Sequence, residues 1–298
     1  MSAKAVFKKF VPKPALEWNR QRKKRNRRRQ LEKLKRSGEI WTENALITSL
    51  QRAGVDPHKD LLVHSAMSKI GYLEEGPKTM VEALIRYMSN DATILMPTSP
   101  VSTLQANHTL DIFDVDNTPS LMGALTEYFR AQKATHRSGH PLEPVAAFGP
   151  NALEYTLHHH SDATAYGLNS PWLKHMDRGG QILYIGTTLI NSGTSLHAVE
   201  DAIGHGSFKF PIYLSRPRDF SVFMDKQRLT ITSNVHNPEW SAKRQCDGLI
   251  PLLEEKGALR HVKVGEAPSL LVDAAQMKSI LLEEYTNKGV TMYTPQGS

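Results

Sequence analysis

The chain has 298 residues, 40% of them hydrophobic, with 37 Lys and Arg, 30 Asp and Glu and one cysteine. That length can bury a substantial core without staples, and the lone Cys246 excludes an intrachain disulfide. The net charge of +7 is unevenly spread: residues 1–36 hold fifteen of the basic residues against Glu17 and Glu32, a basic arm of +13 on a globule of −6. With no apolar leader and no membrane-length apolar run, the expectation is a cytoplasmic protein.

Taken in chain order, the arm comes first. Its densest run, Asn19 to Arg29, sits in a stretch that reads as a helix from Ala15 to Arg36, with Trp18, Leu31 and Leu34 as docking residues. Such a helix suits an anionic membrane surface at the inner face of the membrane or an acidic partner. It lacks the interleaved aromatics on which bases stack, which argues against nucleic acid. The division is an arm over 1–38 and a domain over 39–298.

The domain opens with a helical pattern from Trp41 to Ala53, stopped by Gly54. Lys59–His64 reads as a buried strand running into the polar loop His64–Ser68, and Pro77, after Gly76, starts a helix through Met88. The strand Ala92–Pro97 precedes a long polar loop, Thr98–Thr118. Further strands are expected at Val145–Phe148, Gln181–Gly186, Pro211–Leu214, Arg228–Ser233, His261–Val264 and Ser269–Val272. Helices are expected at Leu121–Gln132, Ser170–Asp177, Ser195–Ile203 and Ala274–Asn287. The alternation predicts an α/β fold: a central mixed sheet flanked by helices, with a β-rich extension in the C-terminal part around 211–233 and the basic helical arm in front.

Three constellations offer chemistry. After the strand Gln181–Gly186, the run Thr194-Ser195-Leu196-His197-Ala198-Val199-Glu200 puts His197 and Glu200 at i and i+3 of a helix start, an imidazole and a carboxylate on one face. That pair suits general-base catalysis, and it is also ordinary helix-surface chemistry. The loop His136-Arg137-Ser138-Gly139-His140-Pro141 gathers a guanidinium, a hydroxyl and imidazoles that could grip phosphate or amide groups. The triplet His158-His159-His160 resembles a metal tract, but neighbours on a helix point different ways and no zinc-spaced partners follow, so no metal is expected. There is no G-x-S-x-G elbow, because His197 stands where its last Gly should, and no P-loop, G-x-G-x-x-G or H-E-x-x-H.

Six ordered segments give a resemblance: Leu62-Val63-His64-Ser65 with Gly71, Asn117 to Gly123, Arg137 to Pro141, Tyr166 to Pro171, Gly180 to Gly186, and Thr194 to Glu200. Together they resemble the aminoglycoside 3-N-acetyltransferase family, of the antibiotic N-acetyltransferase superfamily, over roughly 60–205. The resemblance thins beyond Phe210 and does not cover the arm. It implies acetyl transfer from acetyl-CoA, as co-substrate, to a sugar amine by direct attack. His197 stands at the catalytic histidine position, with Glu200 orienting it or contacting the acceptor ammonium. It further implies that His64, Ser65 and Ser68, with Arg137, Ser138 and His140, line the CoA cleft. Asp111, Asp114 and Asp116 are candidates for acceptor binding, with solvated charge as the alternative. The weak negative charge of the globule and the basic arm favour an amino sugar, including a nucleotide-linked one, in surface polysaccharide synthesis. The alternatives are an antibiotic-resistance enzyme acting on aminoglycosides, a thioesterase-like or non-catalytic CoA-fold protein, and a scaffold working through the arm. The oligomeric state stays open.

Overall fold

The computed structural model describes residues 21–22, 25–26, 29, 32–34, 36–37, 40–101 and 110–297. The described residues of the arm are helical, in keeping with the charge pattern, while its expected docking residues Trp18 and Leu31 lie outside them.

Twelve strands are described: β1 (Ile40–Trp41), β2 (Leu61–Ser65), β3 (Tyr72–Leu73), β4 (Ile94–Pro97), β5 (Phe113–Asp114), β6 (His136–Arg137), β7 (Val145–Phe148), β8 (Gln181–Ile185), β9 (Arg218–Met224), β10 (Gln227–Ser233), β11 (Leu259–Val264) and β12 (Ala267–Asp273). Seven of them form one sheet in the order β11-β12-β8-β2-β4-β7-β6. At its centre β8, β2 and β4 run parallel, and antiparallel strands flank them on both sides. Strands buried on both faces need unbroken apolar runs. Leu61, Leu62 and Val63, and Ile182 to Ile185, supply them. Two apolar clusters cover the two faces, one built on Trp172, Tyr184 and Met277, the other on Leu46, Met80 and Phe129.

The helices begin and end where sequence punctuation places them. Thr42 caps Glu43–Ala53 and Gly54 closes it at φ 67°, Pro77 opens Pro77–Tyr87, and Ser170 with Pro171 opens Pro171–Asp177. Asp273 caps Ala274–Lys288 through the N–H of Gln276. Among the described residues no helix is long and apolar enough to cross a membrane.

Two expectations need correction. Pro211–Leu214 forms no strand and contributes only an isolated bridge from Tyr213 to His236, because two prolines, Pro211 and Pro217, flank the segment and remove ladder donors. The β-rich extension is the hairpin β9–β10, whose first strand the sequence reading missed; it pairs in parallel with β5 from the long loop. This three-stranded sheet has a core of its own, Phe113, Val115, Val222 and Ile231.

The chain leaves β2, builds β4 on one side of it, and returns to build β8 on the other. The carboxyl ends of β2 and β8 therefore flank a topological switch point, where open α/β sheets form their ligand crevices.

Candidate active site

The helix Thr194–Ile203 starts just beyond the carboxyl end of β8. A short turn of helix, Leu189–Ser192, precedes it, and the junction is Gly193. A Cβ there would lie 2.3 Å from the Leu189 carbonyl oxygen, so only glycine fits, and the junction brings the start of the second helix against the sheet.

His197 and Glu200 are each 3% exposed, so the pair is a buried one rather than a surface i,i+3 contact. His197 Nδ1 lies 2.6 Å from Glu200 Oε2, and His197 Nε2 lies 2.9 Å from Arg244 Nη1. A guanidinium only donates, so Nε2 must accept, and the proton of the neutral ring sits on Nδ1, donated to Glu200. Burial, helped by the Arg244 charge, holds His197 well below the usual imidazole range. Burial also pushes the Glu200 carboxyl up to about 8, against the opposing pull of Arg244. The ring is thus neutral in the free protein, with the tautomer a general base at Nε2 requires.

Aromatic rings wall the pair. Tyr166 lies 5.0 Å from the His197 ring, and His236 lies 4.0 Å from it and stacks on Tyr213 at 4.6 Å. His197, Glu200 and His236 offer donor atoms within 4.8 Å of one another, a geometric candidate for a metal. Arg244, donating to His197 Nε2, sets a positive charge against such an ion. His236, Arg244, Tyr166 and Tyr293 were absent from the sequence-based site. Three of the four lie downstream of Phe210, where the resemblance thins, and Arg244 is 47 residues from its partner.

The loop after β2 approaches the same crevice. Ser65 is half-buried at the strand end, and Ser68 is exposed in the 3-10 turn Met67–Lys69. His64 differs from expectation: its ring is buried, stacked on Tyr184 at 5.0 Å and on Trp172 at 6.1 Å, and burial holds it down to about 3. It packs the floor of the crevice, with Nε2 3.5 Å from Thr194 Oγ1.

The Arg137–His140 loop is corrected more strongly. Arg137 donates to the carbonyls of Thr98, Val115 and Thr118 and to Thr98 Oγ1, so four of its five N–H groups hold the chain together. Ser138 is fully buried, accepting from Val145 N–H and bonded to His159 Nδ1 at 2.8 Å. His140 is equally buried, with Nε2 3.1 Å from Ser233 Oγ. Ser138 and His140, sealed in this way, have no face left for a CoA phosphate, and half-buried Arg137 keeps one N–H group beyond its bonds to the chain. A cavity of about 320 Å³ does open at this edge, lined by Asp116, Arg130, His136, Arg137, His158 and His160 among others, but neither His197 nor Glu200 lines it.

Of the three candidate acceptor aspartates, Asp114 caps its own turn, accepting from the N–H groups of Asp116 and Asn117 and from Asn117 Nδ2. Asp111 and Asp116 are exposed beside it. In the triplet at 158–160, His159 turns inward against Ser138 and the Ala165 carbonyl, whereas His158, left-handed at φ 65°, and His160 line one cavity with ring centroids 6.4 Å apart, so neighbours do not all point different ways.

Comparison with known proteins places this architecture. The family model described as aminoglycoside 3-N-acetyltransferase matches residues 62–284. The SPbeta prophage-derived aminoglycoside N(3')-acetyltransferase-like protein YokD of Bacillus subtilis (strain 168) is 25% identical over 76% of this chain and 85% of that protein. Aminoglycoside N(3)-acetyltransferase IX of Micromonospora chalcea is 26% identical over 81% of this chain and 92% of its own. Among solved structures, AAC-IIIb in a binary complex with CoASH superposes with a TM-score of 0.68 at 23% identity, covering 83% of this chain and 97% of the other. AAC-VIa bound to sisomicin gives 0.67 at 25% identity, covering 82% and 97%.

The molecule is therefore an acyl-CoA-dependent N-acyltransferase. Within that class the chain belongs to the aminoglycoside 3-N-acetyltransferase family.

Proposed function

We propose that the protein transfers an acetyl group from acetyl-CoA to an amine of an aminoglycoside-type acceptor by direct attack, with His197 as general base. The observation that carries this reading is the buried His197–Glu200 pair, whose 2.6 Å contact fixes Nδ1 and leaves Nε2 to take a proton. An ammonium cannot attack a thioester, and a neutral imidazole beside it removes that obstacle. As the amine nitrogen bonds to the thioester carbon, its proton passes to Nε2 and negative charge grows on the carbonyl oxygen. The Ala66 N–H is bonded to the Ile185 carbonyl and the Lys69 N–H to the Ala66 carbonyl, so the N–H groups of Met67 and Ser68 at the start of the turn serve as donors to that oxygen. The C–S bond then breaks, the imidazolium gives that proton to the departing sulfur, and coenzyme A leaves as its thiol. Ser65 and Ser68 border the donor's path at the carboxyl end of β2.

The donor is supported by the CoASH bound to the AAC-IIIb structure, and the acceptor class by the names of the relatives and by the sisomicin bound to AAC-VIa. The reading in which an amino sugar is acetylated for surface polysaccharide rests on the basic arm and the weak negative charge of the globule, and its alternative is preferred. Release of free CoA, followed with a thiol reagent, tests both: acetyl-CoA is offered with sisomicin, free amino sugars and nucleotide-linked amino sugars. Release with sisomicin is expected, and release only with a nucleotide-linked sugar would restore the glycan reading.

A further inference from the structure

A base whose lone pair is already engaged cannot take a proton. Nε2 of His197 is engaged: Arg244 Nη1 donates to it across 2.9 Å. Nδ1 is held by Glu200, so an acceptor amine must reach the same Nε2, at about the hydrogen-bonding distance at which the guanidinium now sits. Arg244 and the amine compete for one position.

The surroundings offer more than a guanidinium can use. Four polar atoms close by are buried and have no partner: Glu143 Oε2, Glu200 Oε1, His236 Nε2 and the Tyr293 hydroxyl. Glu200 bonds the same ring as Arg244, the His236 ring lies 4.0 Å from that ring, and the charge of Arg244 reaches Glu143 and Tyr293 as well. Arg244 itself directs Nε at the Ser241 carbonyl, 2.9 Å away, and one Nη at His197. Buried polar atoms are rarely left without partners, so a cluster of four around one cation marks a place shaped for something richer in donors. Glu143 and Glu200 are carboxyls whose burial pushes each up to about 8, a penalty that a further cation beside either one relieves.

We propose that Arg244 is a resident cation that occupies the acceptor subsite of the free enzyme and yields it to the incoming amine. It is then a specificity-determining residue: acceptors bind when their own ammonium and hydroxyl groups replace the guanidinium on His197 beside Glu200. The inference rests on His197 being the base. Arg244 is placed to move. It is half-buried, in the turn between the short helix Pro238–Ser241 and the 3-10 turn Cys246–Leu249, and no strand bond depends on its side chain. Binding then requires an open form of the site, and the bond to Nε2 lowers apparent affinity by the fraction of molecules in which it is intact.

Two measurements test this. In steady-state kinetics with sisomicin and acetyl-CoA, R244M keeps the apolar stem and removes the charge. Losing one charged hydrogen bond from the free state should lower KM for sisomicin about tenfold relative to KM for acetyl-CoA. R244K, which keeps a cation on a shorter reach, should fall between R244M and the parent. A rise in KM for sisomicin would overturn the proposal, because it would mean that Arg244 stays and binds the acceptor. A fall in kcat with KM unmoved would overturn it too, since it would assign Arg244 to the reacting carbonyl. The second measurement needs no acceptor: a free imidazole lone pair attacks diethyl pyrocarbonate, and peptide mass analysis reads the carbethoxy adduct at His197. Freed of a charged hydrogen bond, His197 in R244M should react about tenfold faster than in the parent. Equal rates would overturn the proposal, whereas faster modification in a protein that leaves sisomicin unacetylated supports it and removes only the acceptor reading.

Discussion

Two histidine clusters sit in this molecule, and they differ in how completely their polar atoms are matched. At the sheet edge, both ring nitrogens of His159 are bonded, to Ser138 Oγ and to the Ala165 carbonyl, and both of His140 are bonded, to Ser233 Oγ and the Leu142 N–H. Around His197, by contrast, Glu200 Oε1 and His236 Nε2 are buried without partners, with Glu143 Oε2 and the Tyr293 hydroxyl nearby. A saturated network holds a fold together. An unsaturated one keeps bonding capacity for a ligand and lowers stability while it waits. Residue types alone rank the two clusters equally, and matching separates them.

The comparison breaks most visibly at turnover. His197→Ala removes the proton acceptor and should lower kcat by about two to four decades, read by CoA release. A drop below about tenfold would remove His197 as base. Glu200→Gln keeps the shape and an oxygen to accept from Nδ1–H, and removes the carboxyl that can ionise beside the imidazolium as it forms. A smaller loss is expected, about one to two decades, with the acidic limb of the pH–rate profile displaced.

The sequence showed the first half of that site and concealed the second. His197 and Glu200 are three residues apart on one helix, so their meeting is local geometry, and the strand before them was readable from its apolar run. The central strands and the capped helices were legible for the same reason, since Thr42, Pro77, Ser170 and Asp273 act on their own neighbours. Arg244 and His236 arrive through tertiary packing, and Arg244 within Ala242-Lys243-Arg244-Gln245 reads as ordinary surface charge. Glu143 stands beside a loop whose polar residues were read as a grip for CoA. Spacing cannot reveal that Ser138 and His140 already have partners inside the protein, because those partners, the Val145 and Leu142 N–H groups apart, lie 21 and 93 residues away.

At the saturated cluster the same kind of substitution should act on stability. Ser138→Ala leaves the Val145 N–H and His159 Nδ1 without a partner in a fully buried place. The cost should be about 1–3 kcal/mol, read from the urea midpoint at constant slope. KM for acetyl-CoA should stay at the parental value, since Ser138 faces the protein interior. An elevated KM for acetyl-CoA in a variant of parental stability would return Ser138 to the donor cleft.

The last effect is absent at neutral pH and grows in acid. Burial, opposed in part by the bond to Ala165, holds His159 down to about 3, while the unfolded chain protonates it near 6.5. Between those values the unfolded state carries a proton that the folded state lacks, so this contribution to stability is present above about pH 6.5 and is lost as pH falls toward 3. His64, also held down to about 3, adds a second such proton, and His175, held to about 4, a third. In His159→Gln the amide can still donate to the Ala165 carbonyl and accept from Ser138, but it cannot titrate. The slope of unfolding free energy against pH should therefore shrink by up to about 1.4 kcal/mol per pH unit across that window. A parental slope in His159→Gln would mean that His159 takes up its proton without unfolding the fold, and the cluster at the sheet edge would then be less tightly closed than its bonding indicates.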